Sequence, residues 1–336
     1  MNFVVRPWER EAFKRCRREW DFGATERQNY EPAALPPEPD LGTAVRDALA
    51  IYYFPGMWDW GRATVRPLVL QELARSLDRQ RATVAVTEPE RWDRARAVGT
   101  ELLLRYFEWA THVDRFTPLQ VSIEAEAGLP QPGDASRALA LPDGRGAHFR
   151  ARIDLVVQDD HEAGWYVRHD VVDGDWPGVE MLMVDDRALA AAWVWEQDFL
   201  APLAGTMFNE LRPTAGPTPV AARALGRAVV QEGNAWFRRT IVPRERSEHD
   251  GMGERLAHEV LDMTAAGMHA YPSPSAPVCA ACRYRAPCRA MSDGSAAVDV
   301  LTASYRTRPP VDFQEGRLGG VWGIHTGPAT ALPPAE

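Results

Sequence analysis

Two hydrophobic periods alternate along the chain, and the change from one to the other marks its parts. Over residues 41–52 the apolar positions Leu41, Ala44, Val45, Ala48, Leu49 and Tyr52 recur every three or four residues, the spacing of one helical face, and leave Arg46 off the stripe. Trp92, Ala95, Val98, Leu102, Tyr106 and Trp109 repeat that spacing and predict a longer amphipathic helix after the break at Glu88-Pro89-Glu90. From His148 the period falls to two. Phe149, Ala151, Ile153, Leu155 and Val157 alternate with His148, Arg150, Arg152, Asp154 and Val156, which predicts a strand with Asp154 pointing the same way as Arg150 and Arg152. A turn over 159–164 leads into a hairpin partner, Trp165 to Val172, whose alternation puts Tyr166, Arg168, Asp170 and Val172 on one face. Met181, Val184, Ala188, Ala191, Ala192, Trp195 and Phe199 then predict a helix that packs on this sheet. Gly205 to Leu211 and Ala235 to Val242 read as strands, Glu254 to Met268 as a helix, and Pro7 to Phe22 as one helix carrying Cys16.

Proline-rich stretches punctuate these elements. Residues 32–39 form a stiff connector, residues 272–277 deliver the chain to a cysteine cluster, and residues 327–334 read as a disordered tail. The expected organisation is one composite domain: a helix in 1–30, a helical region in 31–116, an α/β core in 117–270, a cysteine segment in 271–300 and a partly disordered tail in 301–336.

Composition narrows the classes. With 45% hydrophobic and 25% charged residues in 336, the chain is ordinary globular material. No apolar run approaches the ~20 residues that span a bilayer. Met1 to Arg6 does not resemble a secretory segment, so a cytoplasmic location without disulfides or membrane is expected. A formal charge of -9 excludes a uniformly basic nucleic-acid binder but not a local basic patch. All but one of the 38 basic side chains are arginine, the exception being Lys14.

The chain's four cysteines are Cys16, Cys279, Cys282 and Cys288. A CxxC with a third cysteine six positions on brings three soft thiolates within reach of one centre, and Cys16 completes a four-sulfur shell. Spacing alone leaves zinc and an iron–sulfur cluster both open, zinc being the commoner occupant of CxxC sites.

In order, a cysteine in the first helix, the Gly42-Thr43-Ala44-Val45-Arg46 helix, a strand ending in Asp154, a hairpin, a helix and a closing C-x2-C-x5-C resemble the RecB-like nucleases of the PD-(D/E)XK superfamily. The resemblance runs from Cys16 to Cys288 and is nearest the iron–sulfur branch, with its AddB-type helicase-nucleases and the nuclease of CRISPR adaptation. It implies an α/β fold, a restriction-endonuclease-like mixed sheet flanked by helices. It also implies a 4Fe-4S cluster on Cys16, Cys279, Cys282 and Cys288, stapling the N-terminal helix to the C-terminal end, with zinc as the alternative occupant. Closing so long a ring gives such a cluster a structural role. For catalysis it implies Mg or Mn on Asp154 and Asp170, beside a lysine that activates water.

The motif positions depart from that pattern. No lysine lies in Tyr166-Val167-Arg168-His169-Asp170-Val171-Val172, and Lys14 is far off beside Cys16. Aligned on Asp170-Val171-Val172, the second carboxylate is kept and Val172 stands for the lysine; aligned on Arg168-His169-Asp170, the charge order is inverted. Arg46 stands at the family's helix histidine and Arg187 at the glutamine of its later helix. Arginine is no general base at neutral pH, and valine offers neither proton nor charge. Asp154 is expected either as a retained metal ligand or as a strand aspartate paired with Arg152.

Joining Cys16 to the other three cysteines would bring Lys14, Arg15, Arg17 and Arg18 toward Arg283, Arg285 and Arg289, more cations than an anionic cluster needs. A DNA backbone is the expected partner for that patch. The leading reading is a catalytically degenerate RecB-like iron–sulfur protein that binds DNA or a protein partner. The alternatives are an active Mg- or Mn-dependent DNA exonuclease with a rearranged site, in which Arg150, Arg152 or Arg168 replaces the lysine's charge, and a redox- or iron-sensing regulator.

Overall fold

A computed structural model describes residues 2–34, 38–84, 88–218 and 224–308. The chain opens with a short edge strand, β1 (Phe3–Val5), before α1 (Pro7–Arg15) and α2 (Arg17–Gly23). The single helix expected over Pro7 to Phe22 is therefore divided at Cys16. That residue is extended (φ -160°, ψ 111°), ending α1 with its N–H on the Ala12 carbonyl and opening α2 with its own carbonyl. The break places the Phe13 and Trp20 rings edge to face at 5.0 Å.

β2 (Tyr30–Pro32) leads to α3 (Leu41–Tyr52), which Asp40 caps by accepting the Thr43 N–H at 2.8 Å. Then come α4 (Arg62–Ala82) and α5 (Pro89–Val113), the strands β3 (Phe116–Gly128), β4 (Pro130–Gln131) and β5 (Asp134–Ala138), and the hairpin β6 (Ala147–Asp159) and β7 (Gly164–Val171). The helix expected over 181–199 is two helices, α6 (Val179–Met183) and α7 (Asp186–Phe199), because Asp185 caps the second by accepting the Ala188 N–H. β8 (Gly205–Leu211), β9 (Ala224–Leu225), β10 (Ala228–Gly233) and β11 (Phe237–Pro243) complete the strands of the main sheet. α8 (Arg246–Thr264) starts and ends earlier than the sequence pattern suggested. It is followed by α9 (Ala276–Ala281), α10 (Arg285–Asp293), α11 (Ala297–Ser304) and β12 (Tyr305–Thr307). The first residues of the expected tail thus belong to α11 and β12, while 309–336 and 35–37 of the proline-rich connector lie outside the described residues.

The main sheet runs β1-β6-β7-β8-β11-β10-β9, with β3 on the other edge of β6. β7 and β8 are parallel, whereas β3, β7 and β11 are antiparallel to their partners β6, β6 and β8. Two apolar layers cover it. Ala188, Ala192 and Trp193 of α7 and Leu256 and Val260 of α8 pack with Phe149, Ile153 and Phe208 on one side. Val45 and Leu49 of α3, Leu73 of α4 and Phe107 of α5 pack with Leu155, Val167 and Met207 on the other. The architecture is a mixed α/β sheet between helices, as the resemblance implied. Among the described residues no helix is long and apolar enough to cross a membrane.

Candidate functional site

Beside β6 the sheet forks. On one edge β6 pairs with β1 only as far as Phe149 and with β7 only from Leu155 onward, so residues 150–154 face a gap between the two strands. Asp154 stands at that fork. Its Oδ2 accepts the backbone N–H of His169 at 3.2 Å, bridging the strands just past their last paired residues. Burial pushes its carboxyl above the usual range and the like charge of Asp170 adds to this, against the pull of Arg46, the His169 N–H and Arg152. Arg46 reaches the fork from α3 and is steadied by the Thr43 hydroxyl at 2.9 Å. The ion pair expected between Asp154 and Arg152 does not form: Arg152 donates to Asp47 at 3.0 Å and to the Ser122 hydroxyl at 2.7 Å.

Arg168 and Asp170 lie on one side of β7, two residues apart. The Arg168 guanidinium meets Asp170 at 3.0 Å and Asp185 at 2.8 Å. Burial disfavours its charge, but the two carboxylates more than offset this and hold its pKa above the ordinary value. Asp185 also caps α7, accepting the Ala188 N–H at 2.8 Å. Nearby, Glu210 of β8 and Arg238 of β11 form a buried ion pair at 2.6 Å, and Arg238 also donates to the Pro177 carbonyl at 2.8 Å. Asp47, Asp185 and Glu210 were not singled out from the sequence. For Asp185 a signal existed, an aspartate immediately before an apolar helical stripe.

Under the fork His169 turns into the helical layer. Its Nδ1 accepts the Asn209 amide at 2.9 Å and its ring stacks on Tyr53 at 5.6 Å. Asn209 in turn donates to Tyr106, whose hydroxyl meets that of Tyr53 at 2.5 Å, and Asp114 and Arg239 close the network at 2.7 Å. Burial, reinforced by the charges of Arg239 and Arg46, lowers the His169 pKa to about 3 and leaves the ring neutral.

The remaining motif positions lie elsewhere. Val172 follows β7 and gives its N–H to the Leu211 carbonyl at 2.8 Å. Arg187 turns away from the fork toward α1, pairing with Glu11 at 2.5 Å. Lys14 pairs with Asp186 at 2.9 Å and Glu259 at 2.7 Å, so the one lysine belongs to an ionic network between α1, α7 and α8.

The cysteines are free, partly buried thiols. Cys16 accepts the Ser273 N–H at 3.4 Å, and Arg18 reaches the Cys288 sulfur at 3.8 Å, so chain separated by more than 250 residues converges here. Burial, with lesser contributions from Glu19, Cys16 and Cys288, raises the Cys282 pKa. Phe22, Tyr284 and Leu301 form a small core against Cys282 and Cys288. Of the expected basic patch, the N-terminal arginines are engaged within the fold. Arg15 pairs with Glu19 at 2.5 Å, Arg17 lies over the Phe13 and Tyr271 rings at 5.1 Å, and Arg18 also donates to the Ala270 carbonyl at 3.4 Å. Arg283, Arg285 and Arg289 are exposed.

Among the described residues no group of three or more His, Cys, Asp or Glu side chains is arranged to hold a metal ion. At the fork the obstacle is positive: a guanidinium lies between Asp170 and Asp185. At the cysteines the donor set is one of four soft thiols, with the Arg18 guanidinium reaching the Cys288 sulfur at 3.8 Å.

No curated protein matches this chain. A solved structure described as "Crystal structure of SSO0001" is similar at 10% identity, over 72% of this chain and 80% of that one, with a TM-score of 0.27, too low to support an argument about architecture. A family model described as the PD-(D/E)XK nuclease superfamily matches residues 7–289, a span that includes the fork, Asp154, Asp170 and all four cysteines. The chain therefore belongs to the PD-(D/E)XK nuclease superfamily.

Proposed function

We propose that this chain is a RecB-like, iron–sulfur member of the superfamily that binds DNA without cleaving it. The observation that carries the reading is Arg168 held between Asp170 and Asp185 at 3.0 and 2.8 Å. Metal-dependent hydrolysis needs carboxylates open to a divalent cation and a group that activates water. A guanidinium competes for the first and cannot perform the second. The His169 N–H fixes Asp154 beside 168–170, which favours the alignment of the motif's second carboxylate and lysine onto Arg168 and Asp170, with the charges exchanged. With Arg168 in place, the fork does not fit Mg or Mn.

The cysteines fit a 4Fe-4S cluster, or zinc, by donor chemistry and by the convergence of both chain ends. Cys16, Cys279, Cys282 and Cys288 would hold it, and it would supply closure of the fold rather than chemistry on a substrate. Binding to DNA is supported by superfamily membership and by the exposed arginines of the cysteine segment. The test uses full-length protein purified without oxygen, with labelled single- and double-stranded DNA in Mg²⁺ or Mn²⁺. The expected result is retention of DNA with no metal-dependent cleavage, in the wild type and in Asp154→Asn alike. Cleavage that requires the metal and disappears in Asp154→Asn would overturn the reading.

A further inference from the structure

Between α10, α11 and β12 lies an open groove of about 550 Å³, lined by Arg283, Arg285, Arg289, Cys282 and Tyr305 among others. The three arginines are exposed, and among the described residues their side chains make no hydrogen bond or ion pair. The one carboxylate in the lining, Asp293, accepts the Ser295 N–H at 3.0 Å and also feels the charge of Arg289. Three guanidiniums therefore face the groove against one engaged carboxylate, on a chain whose formal charge is -9. Arg285 and Arg289 are four residues apart on one helix, where like charges repel. A ligand with closely spaced anionic groups would relieve that repulsion.

The walls are built before any ligand arrives. Tyr284 is buried and donates to the Tyr30 carbonyl at 2.6 Å, Tyr305 stacks on it at 5.7 Å, and the Tyr305 hydroxyl holds the Arg283 carbonyl at 2.7 Å. Strand pairing of β12 with β2 anchors the same wall to the N-terminal region. Arg285 and Arg289 are offset by about 6 Å along the helix axis, presenting a single row of planar donors suited to successive phosphates. A duplex offers two backbones across a groove about 12 Å wide, whereas a basic groove with an aromatic wall suits one strand.

We infer that this groove binds the phosphate backbone of single-stranded nucleic acid through Arg283, Arg285 and Arg289, with Tyr305 as the aromatic wall beside a base. The inference rests on the DNA-binding reading above and gives it a site away from the fork. The test is fluorescence anisotropy of a labelled single-stranded DNA oligonucleotide, titrated with the full chain over a salt series. Arg283→Ala/Arg285→Ala/Arg289→Ala should bind at least about 10-fold more weakly, with a salt slope flatter by about 2, from three contacts at about 0.7 each. Arg91→Ala/Arg94→Ala/Arg96→Ala on α5 removes the same charge elsewhere and should change affinity less than about 2-fold. Ala286→Glu keeps every arginine and puts a carboxylate on the groove wall; it should weaken binding comparably, so the outcome does not hang on the triple variant folding. Wild-type binding that survives both groove changes would overturn the groove and leave the DNA-binding reading standing. Absence of nucleic-acid binding in the wild type would overturn both. A groove-dependent preference for duplex, or for polyglutamate, would overturn the single-strand assignment.

Discussion

Arginine has opposite roles at the fork and at the groove. At the fork Arg168 is enclosed by Asp170 and Asp185, and a few residues away Arg238 lies against Glu210 and Arg239 against Asp114. In the groove Arg283, Arg285 and Arg289 are exposed, and among the described residues the only carboxylate beside them is Asp293, which feels the charge of Arg289. With 47 acidic residues to 38 basic ones, the chain has carboxylates enough for pairing to be the usual fate of an arginine. An enclosed guanidinium closes a site to other cations. One left free offers a site to anions. The difference lies in whether the fold delivers a carboxylate, which side-chain identity does not encode.

The largest effect that sharpens this contrast should come from the cysteines, which border the groove and not the fork. If a cluster joins Cys16 to the C-terminal three, Cys16→Ala opens a ring of well over 100 residues and should lower unfolding free energy by about 5 kcal/mol, by loop-closure arithmetic. Iron content, absorbance near ~400 nm and single-strand affinity should fall with it. Unchanged iron and unchanged denaturant midpoint would contradict the staple. Next comes Asp114→Ala, which strands the fully buried Arg239 guanidinium and should cost about 3–5 kcal/mol in chemical unfolding while leaving the groove's affinity intact. A cost under about 1 kcal/mol would mean that the pair is not the enclosed one described.

A smaller effect is set by pH. The His169 imidazole is held neutral down to about pH 3, while an unfolded histidine takes its proton near 6.5. Below 6.5 the unfolded chain binds more protons, so His169 contributes stability that is lost as pH falls from about 6.5 toward 3. The raised carboxyl of Asp154 acts in the other sense, its contribution being lost as pH rises through its folded value. Melting temperatures of wild type and His169→Phe, which keeps a ring on Tyr53, should therefore converge toward pH 3; parallel curves would refute the assignment. The smallest effect belongs to the groove triple, whose exposed arginines make no buried contact and whose loss should leave the melting temperature nearly unchanged.

Much of the frame was legible in the sequence. The alternation from Phe149 to Val157 gave the central strand but not its faces, since Phe149, Ala151 and Ile153 pack on one layer and Leu155 and Val157 on the other; the stripe from Leu41 to Tyr52 gave α3, and the cysteine spacing pointed to the convergence of Cys16 with the C-terminal segment. Two long elements were missed. α4 carries its own stripe, Val65, Val69, Leu73 and Leu77, which was there to be read. β3 was hidden because a register shift at Pro118/Gln120 and a left-handed Ser122 (φ 48°) interrupt its alternation. At the fork, Asp154 and Asp170 could be placed on strands, but their partners could not. Arg168 is held by Asp185, seventeen residues on, and Arg152 by Asp47, more than a hundred residues back. The partners of the N-terminal arginines were hidden for the same reason: Glu19 takes Arg15, and Phe13 and Tyr271 take Arg17. Periodicity reports elements, and pairing across the fold is set by tertiary packing.

The central claim is that the fork carries its own cation. Mn²⁺ titration of the full chain, followed by electron paramagnetic resonance, tests it directly in the wild type, Arg168→Ala and the charge-restoring Arg168→Glu/Asp170→Lys. No stoichiometric Mn²⁺ should bind at the fork of the wild type, and a site should appear in both variants that is lost when Asp154→Asn is added. One Mn²⁺ bound to the wild type and released by Asp154→Asn would show the carboxylates open to metal and contradict the account.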